Sequence, residues 1–208
     1  MEIKVYVVGY QKGYARWIDN CVLVNDIHKA DVVFFTGGAD VDPSTYHCKT
    51  HHSVWSSLAR DREEIAAWRE MSPNQVAWGT CRGFQLLNCL FGGILVQDCD
   101  NHWCGGTHNI TNKEGDIVAT TSLHHQMIYP YTIDPSNYEI LYWADQNRCT
   151  YYEGDKIDPS KILIEPEVAV WHREDLPTSL GVQGHPEMMS NNSELVYILN
   201  NLLKSYLK

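Results

Sequence analysis

A cysteine in a glycine-flanked turn is the residue of this chain best suited to act as a nucleophile. Cys81 lies in the segment Gly79-Thr80-Cys81-Arg82-Gly83, between a short apolar run at 76–78 and a helical pattern at 84–91. Glycines two residues before and after the cysteine let the backbone bend sharply, as in a nucleophile elbow with cysteine in place of serine. A thiol at the start of a helix also meets the positive end of the helix dipole, which favours the thiolate form. The segment therefore predicts covalent catalysis.

A cysteine nucleophile needs a general base, and the base needs a group that orients it. His185 and Glu187 follow an apolar segment at 180–183 and flank Pro186. Side chains two residues apart project to the same side of an extended backbone, and proline restricts that backbone. We therefore predict a triad in which His185 is the general base and later the acid, while Glu187 fixes the tautomer of His185 and stabilises its charged form.

An acyl-transfer site also needs hydrogen-bond donors for the oxyanion that forms on the substrate. The backbone N–H of Arg82, next to the nucleophile, is one candidate. Gly38 is the other, because it belongs to the turn Thr36-Gly37-Gly38 that ends an apolar segment at 31–35. Glycine there lets the backbone approach a substrate closely. The Arg82 side chain could contact substrate or form a salt bridge, and the sequence leaves both open.

The composition restricts the class of protein. The 208 residues are 44% hydrophobic and 20% charged, which is typical of a globular chain and predicts one domain over 1–208. A net charge of -10 argues against direct binding of nucleic acid. No apolar run approaches the roughly 20 residues of a membrane span, so no membrane partner is expected. The first residues do not resemble a signal peptide, and seven cysteines without one indicate reduced thiols and a cytoplasmic protein.

Continuous apolar segments alternating with helical patterns predict an α/β fold with a mostly parallel sheet covered on both faces. Helices are predicted at 57–71, after the elbow, and along the apolar stripe from Leu195 to Tyr206. The polar segment 97–115 is predicted to be a loop. Strands are predicted at 3–8, 21–24, 31–35, 76–78, 117–123, 138–143, 162–164, 168–171 and 180–183.

Four segments together resemble the class I glutamine amidotransferase superfamily, and most closely its peptidase C26 branch, which includes gamma-glutamyl-gamma-aminobutyrate hydrolases. They are TGGADVDPSTY at 36–46, the elbow with LLN at 86–88, SLHHQ at 122–126 and GVQGHPE at 181–187, in the family's order. Arg82 favours the hydrolase branch, since biosynthetic amidotransferase domains more often carry leucine or tyrosine there. Gly184 departs from the family, which usually has an aromatic residue before the His-Pro-Glu segment, and this predicts a difference in pocket shape.

The resemblance implies a three-layer, flavodoxin-like fold and cleavage of a gamma-glutamyl amide bond through a glutamyl thioester, without metal or cofactor. The substrate would be a small gamma-glutamyl compound or glutamine. The closest alternative is a glutaminase subunit that passes ammonia to a separate synthetase partner, and the third is a non-catalytic binding protein on the same fold. The substrate-binding residues that the resemblance implies are Gly37, Gln85, Ser122, Leu123 and His124.

Two groups of histidines and cysteines could bind a metal ion. A Cys2His2 zinc site could form at 99–108, although its spacing is not a standard finger pattern. The residues concerned are Cys99, His102, Cys104 and His108. A second group, His47, Cys48, His51 and His52, is interpreted as coincidence or as part of the pocket rim. The charged segment 61–64 is predicted to be a solvated helix face.

Overall fold

The computed structural model describes residues 2–9 and 12–207. Its helices are α1 (Leu58–Glu70), α2 (Arg82–Leu90) and α3 (Glu194–Tyr206). Its strands are β1 (Ile3–Val7), β2 (Cys21–Leu23), β3 (Val32–Phe35), β4 (Val76–Thr80), β5 (Ile94–Val96), β6 (Asp98–Cys99), β7 (Trp103–Thr111), β8 (Ile117–Leu123), β9 (Met127–Tyr129), β10 (Tyr138–Ala144), β11 (Tyr152–Glu153), β12 (Pro166–Trp171) and β13 (Ser179–Val182).

Nine of these strands form one mixed sheet in the order β2-β1-β3-β4-β13-β12-β10-β7-β8. The pairs from β2 to β13 are parallel, and the pairs from β13 to β8 are antiparallel. Strands β3, β4 and β13 are buried along their whole length, as expected for strands covered on both faces. Because β13 pairs with β4 in parallel, the segments that follow these two strands, with Cys81 and His185, lie at the same edge of the sheet.

Each face of the sheet has its own apolar core. On one face, α1 and α2 contribute Trp68, Phe84 and Leu87 to a cluster with the β3 side chain of Phe35. On the other face, α3 packs Leu195, Leu199 and Leu203 together with Trp17, which lies in a 3₁₀ segment at Lys12–Trp17. This arrangement confirms the predicted three-layer α/β fold with flanking helices, and the antiparallel strands extend its parallel part at one side.

Two local predictions are wrong. The predicted loop at 97–115 contains β6 and the nine-residue strand β7, which pairs with β8 through Thr111 opposite Ile117. Its polar side chains misled the prediction because buried His108 finds a carboxylate partner inside the fold. The predicted strand at 162–164 is absent, because Asp158 caps a 3₁₀ turn at Pro159–Lys161 and the chain then runs irregularly to β12.

The predicted single domain at 1–208 includes Met1, Tyr10, Gln11 and Lys208, which lie outside the described residues. The sheet takes strands from both halves of the chain, and the domain count stays a prediction. In the described part of the chain, every helix is too short or too polar to cross a membrane.

Candidate active site

The turn between β4 and α2 places Cys81 at the front of α2. The backbone of Cys81 has φ 52° and ψ -110°, a conformation that L-residues rarely adopt. A side chain at Gly83 would collide with the carbonyl of Phe35, and a Cβ at Gly79 would lie 2.5 Å from the backbone nitrogen of Phe84. Glycine is therefore required on both sides of the cysteine, and the structure has the strand, turn and helix that the sequence predicts.

His185 and Glu187 lie immediately after β13, the neighbour of β4. His185 Nδ1 donates to Glu187 Oε1 at 2.7 Å, and the backbone N–H of His185 donates to Thr121 Oγ1 at 2.6 Å. Arg16 Nε donates to the carbonyl of Glu187 at 2.8 Å. Side chains from two distant segments thus fix the His185–Glu187 pair. The exposed fractions of Cys81, His185 and Glu187 are only 7%, 6% and 7%.

The electrostatics of the site favour a charged His185. Burial lowers the pKa of this imidazole, but hydrogen bonds with Cys81 and Glu187 outweigh burial and raise the pKa to about 10. Tyr14 lies beside the ring, with the ring centroids 6.2 Å apart. Burial and the nearby Glu187 and Cys81 raise the pKa of Tyr14 to about 12, so its hydroxyl stays protonated at neutral pH. The site therefore holds a cation, the carboxylate that orients it and a neutral hydroxyl.

The glycine turn after β3 borders the same site. A Cβ at Gly37 would lie 2.9 Å from His185 Cε1, and Gly38 has φ 135°, which favours glycine. Arg60 Nη2 donates to the carbonyl of Gly37 at 2.9 Å, and a Cβ at Gly38 would collide with the Arg60 guanidinium. The turn is thus held by Arg60, a cation from α1 that is not among the predicted site residues. No local pattern distinguishes Arg60 from its charged neighbours.

The Arg82 side chain forms ion pairs inside the protein. Its guanidinium contacts the carboxylates of Asp61 and Glu64, and the exposed fractions of the three residues are 1%, 0% and 2%. Burial lowers the pKa of Arg82 to about 10, and it remains charged at neutral pH. The prediction of a solvated face at 61–64 is therefore wrong for Asp61 and Glu64, which point at α2, whereas Arg62 and Glu63 are exposed. The Arg82 backbone N–H stays the predicted oxyanion donor.

Gln85, in the first half of α2, is buried. Its side-chain amide donates to the carbonyl of Gln126 at 3.1 Å and to Gln183 Oε1 at 3.2 Å. Gln183 Nε2 in turn lies 3.7 Å from Cys81 Sγ. Gln183 was not predicted as a site residue, although it belongs to the segment at 181–187. The predicted contact between Gln85 and a substrate stays a prediction.

The residues predicted to line the opposite wall lie at the end of β8. Ser122 Oγ donates to the carbonyl of His102 at 3.0 Å, and His124 Nδ1 lies 2.9 Å from the carbonyl of Gln126. Ser122 and His124 are buried and Leu123 is half-buried. Ser122 Oγ and His124 Nδ1 thus already have partners inside the protein. The role of these three residues in binding substrate stays a prediction.

Gly184 packs closely against β8. A side chain there would collide with Thr120 Oγ1, and its Cβ would lie 3.2 Å from the carbonyl of Thr121. A side chain at position 184 would therefore meet β8, and an effect of this position on the shape of the pocket stays a prediction.

The predicted Cys2His2 zinc site does not assemble. Among the described residues, three clusters could hold a cation, and none of them contains Cys99 or Cys104. One joins His102 and His108 to Glu167, another joins His102 to Cys149 and Glu165, and the third contains His51. Cys104 is exposed, whereas Cys99 is buried. From the second group, only His51 joins such a cluster, with Asp98 and Glu153.

Comparison with known proteins places the chain in a sequence family. The sequence pattern of the peptidase C26 family matches residues 18–133. The protein NtpR of Enterococcus hirae is 27% identical over 179 residues, which are 80% of this chain and 71% of that protein. A Lactococcus lactis protein named "putative glutamine amidotransferase-like protein YvdE homolog" is 41% identical over 76 residues, 36% of this chain. That match covers 40% of the Lactococcus protein, well under half its length.

A solved structure shares the fold. This structure, of a protein from Thermoplasma acidophilum described as a putative GMP synthase subunit, superimposes with a TM-score of 0.63. The superposition covers 100% of this chain and 94% of the other, at 14% sequence identity.

Proposed function

The chain belongs to the peptidase C26 family, within the glutamine amidotransferase-like proteins, and we propose that it hydrolyses a gamma-glutamyl amide bond. The observation that carries the proposal is the position of Cys81 on a strained turn beside His185, which is charged and hydrogen-bonded to Glu187 at 2.7 Å. A nucleophile, a proton carrier and an orienting carboxylate are the parts that acyl transfer needs.

The reaction follows from these three groups. Cys81 Sγ attacks the side-chain carbonyl carbon of the glutamyl group, and the carbonyl oxygen becomes an oxyanion. His185 passes its proton to the departing nitrogen, so that an amine or ammonia leaves and a glutamyl thioester remains. Neutral His185 then takes a proton from water, and the water oxygen attacks the thioester carbonyl. The carbon–sulfur bond breaks, which releases glutamate and restores the Cys81 thiolate.

The oxyanion would be stabilised by backbone donors at the two turns that meet at Cys81. The N–H of Arg82 opens α2, and the first N–H groups of a helix have no partner within it. The second donor is the N–H of Gly38, whose turn Arg60 holds in place. By analogy with other enzymes, each such donor contributes about 10²–10³ in rate.

Arg60 also gives the site a means of recognising a glutamyl group. Its Nε is bound to Glu64 at 3.0 Å and its Nη2 to the glycine turn, which directs the remaining nitrogen, Nη1, over Gly38. A guanidinium in this position would pair with the main-chain carboxylate of a glutamyl substrate, since arginine binds carboxylates through charge-assisted hydrogen bonds.

A glutaminase subunit that delivers ammonia to a separate synthetase is the second candidate. The low exposure of the triad favours it, because Cys81 at 7% leaves little room for a substrate unless neighbouring segments open. A partner protein that opens the site would then control the reaction. The chemistry at Cys81 is the same in both proposals.

Release of glutamate by the purified chain distinguishes these functions. The substrates are glutamine and a panel of gamma-glutamyl amines and peptides, with Cys81→Ala as the control for contaminating activity. Turnover of a substituted amide that exceeds turnover of glutamine, and is lost in Cys81→Ala, supports the hydrolase. Turnover confined to glutamine supports the glutaminase role. Equal turnover by Cys81→Ala contradicts both proposals.

A further inference from the structure

Three buried histidines surround one carboxylate oxygen in the antiparallel part of the sheet. Glu167 Oε1 lies 3.0 Å from His108 Nε2, 3.6 Å from His124 Nε2 and 3.7 Å from His102 Nδ1. The exposed fractions of these four residues do not exceed 5%. Neutral imidazole nitrogens and a carboxylate are the common ligands of zinc in proteins.

The hydrogen-bond partners of two histidines fix where their protons lie. His124 Nδ1 faces the carbonyl of Gln126 at 2.9 Å and must donate to it, because a carbonyl only accepts. His102 Nε2 faces the carboxylate of Glu165 at 2.9 Å, which accepts in the same way. In the neutral rings, the lone pairs are therefore on His124 Nε2 and His102 Nδ1.

Those two lone pairs are directed at Glu167, which also offers only lone pairs. Within the described part of the chain, neither His102 Nδ1 nor His124 Nε2 has a hydrogen-bond partner, and both atoms are inaccessible to solvent. A cation between the nitrogens and the oxygen would satisfy all of these atoms at once.

The distances from Glu167 Oε1 to the three nitrogens suit a small tetrahedral ion, and the ligand atoms of His102, His108 and Glu167 all lie within 4.8 Å of one another. Ligands about 2.0–2.1 Å from a zinc ion lie about 3.3 Å from one another in a tetrahedron. The separations of 3.0, 3.6 and 3.7 Å from Glu167 Oε1 to the three nitrogens bracket this value. Glu165 and the Gln126 carbonyl supply the outer hydrogen bonds that orient metal-binding histidines.

We propose that His102 Nδ1, His108 Nε2, His124 Nε2 and Glu167 Oε1 bind a divalent metal ion of the zinc class. Four protein ligands around a buried centre leave no position for substrate, so the ion would be structural. An open polar groove of about 550 Å³, lined in part by His108 and Thr107, gives a path from solvent.

The ion would stabilise the antiparallel strands next to the triad. It would connect β7, through His108, to β12, through Glu167, and to the chain after β8, through His124. The carbonyl of Glu167 accepts the N–H of Gln183 at 2.8 Å, and Gln183 contacts Cys81 Sγ. Metal binding is measurable by itself and does not depend on the proposed hydrolysis.

The test is metal binding by the full chain after removal of metal with a chelator. Equilibrium dialysis against Zn²⁺ should give one bound ion per chain. Zn²⁺ at about a hundredfold excess over its Kd should raise Tm by about 5–10 °C. Co²⁺ bound in its place should show the visible spectrum of a tetrahedral site with nitrogen and oxygen ligands and no thiolate charge-transfer band.

Variants assign the ion to this cluster. His108→Gln should abolish binding of the one equivalent and the Co²⁺ spectrum, whereas His51→Gln, in the partly exposed cluster with Glu153, and Cys104→Ser should retain both. Where His108→Gln fails to fold, the Co²⁺ spectrum of the unmodified chain decides between ligand sets. Absence of bound metal, a thiolate band, or binding that survives His108→Gln and is lost in His51→Gln would overturn the proposal.

Discussion

Replacement of Arg82 by leucine tests whether buried ion pairs hold the elbow helix against α1. The substitution removes the charge that Asp61 and Glu64 share, and leaves both carboxylates buried behind an apolar side chain. Loss of one partner from a buried ion pair costs about 3–5 kcal/mol, because the remaining charge stays desolvated.

The remaining contacts set the expected magnitude. Asp61 keeps the backbone N–H of Asp42 at 2.8 Å, and Glu64 keeps Arg60 Nε at 3.0 Å. Since each carboxylate retains at least one donor, we expect the lower end of that range, about 3 kcal/mol. For a chain of this length, 1 kcal/mol shifts Tm by about 2–4 °C, so Tm should fall by about 6–12 °C.

Urea unfolding followed by tryptophan fluorescence measures this loss. Arg62→Leu is the matched control, because Arg62 lies on the exposed face of α1 and its replacement should change stability by less than about 0.5 kcal/mol. The triple variant with Asp61→Asn and Glu64→Gln removes the buried charges and should recover much of the loss. A loss below about 1 kcal/mol in Arg82→Leu, or a triple variant no more stable than the single one, would refute the reasoning.

Two further perturbations test the triad and its surroundings. Glu187→Gln should move the alkaline limb of the kcat–pH profile to lower pH, because Glu187 helps to raise the pKa of His185 to about 10; an unmoved limb would contradict the assigned role. The raised pKa of His185 also stabilises the folded state. This stabilisation is fully present below the unfolded pKa of 6.5 and is lost as pH rises through about 10. The Tm of Glu187→Gln should therefore depend less on pH over that window. Gly184→Ala should cost about 1–3 kcal/mol through its collision with Thr120, whereas Gly13→Ala, with open space around it, should cost far less. Equal melting temperatures for the two glycine variants would show that position 184 is not tightly packed.

Local patterns were sufficient for the parts of the fold that are apolar and continuous. The runs at 31–35, 76–78 and 180–183 became three adjacent buried strands, because a strand covered on both faces has apolar side chains in both directions. The glycines around Cys81 indicated the elbow, since the turn itself requires them. These features depend on residues close together in the chain.

Features that depend on distant partners could not be predicted. Strand β7 looks like a loop because its polar His108 is buried only by virtue of Glu167, 59 positions away. Asp61 and Glu64 look solvated because their partner Arg82 lies on another helix. The position of Arg60 over Gly38 likewise follows from the packing of α1.

The position of β13 in the sheet has a consequence for synthesis of the chain. This strand lies between β4 and β12, yet it is the last strand in the described part of the chain. Until β13 is made, one edge of β4, which is wholly buried in the folded protein, has no partner strand. At about 5–20 residues per second, the ribosome needs about 5–20 s to translate the chain from β4 to β13. An open strand edge can pair with another chain. Slow or faulty insertion of β13 would therefore cause aggregation before His185 is brought beside Cys81.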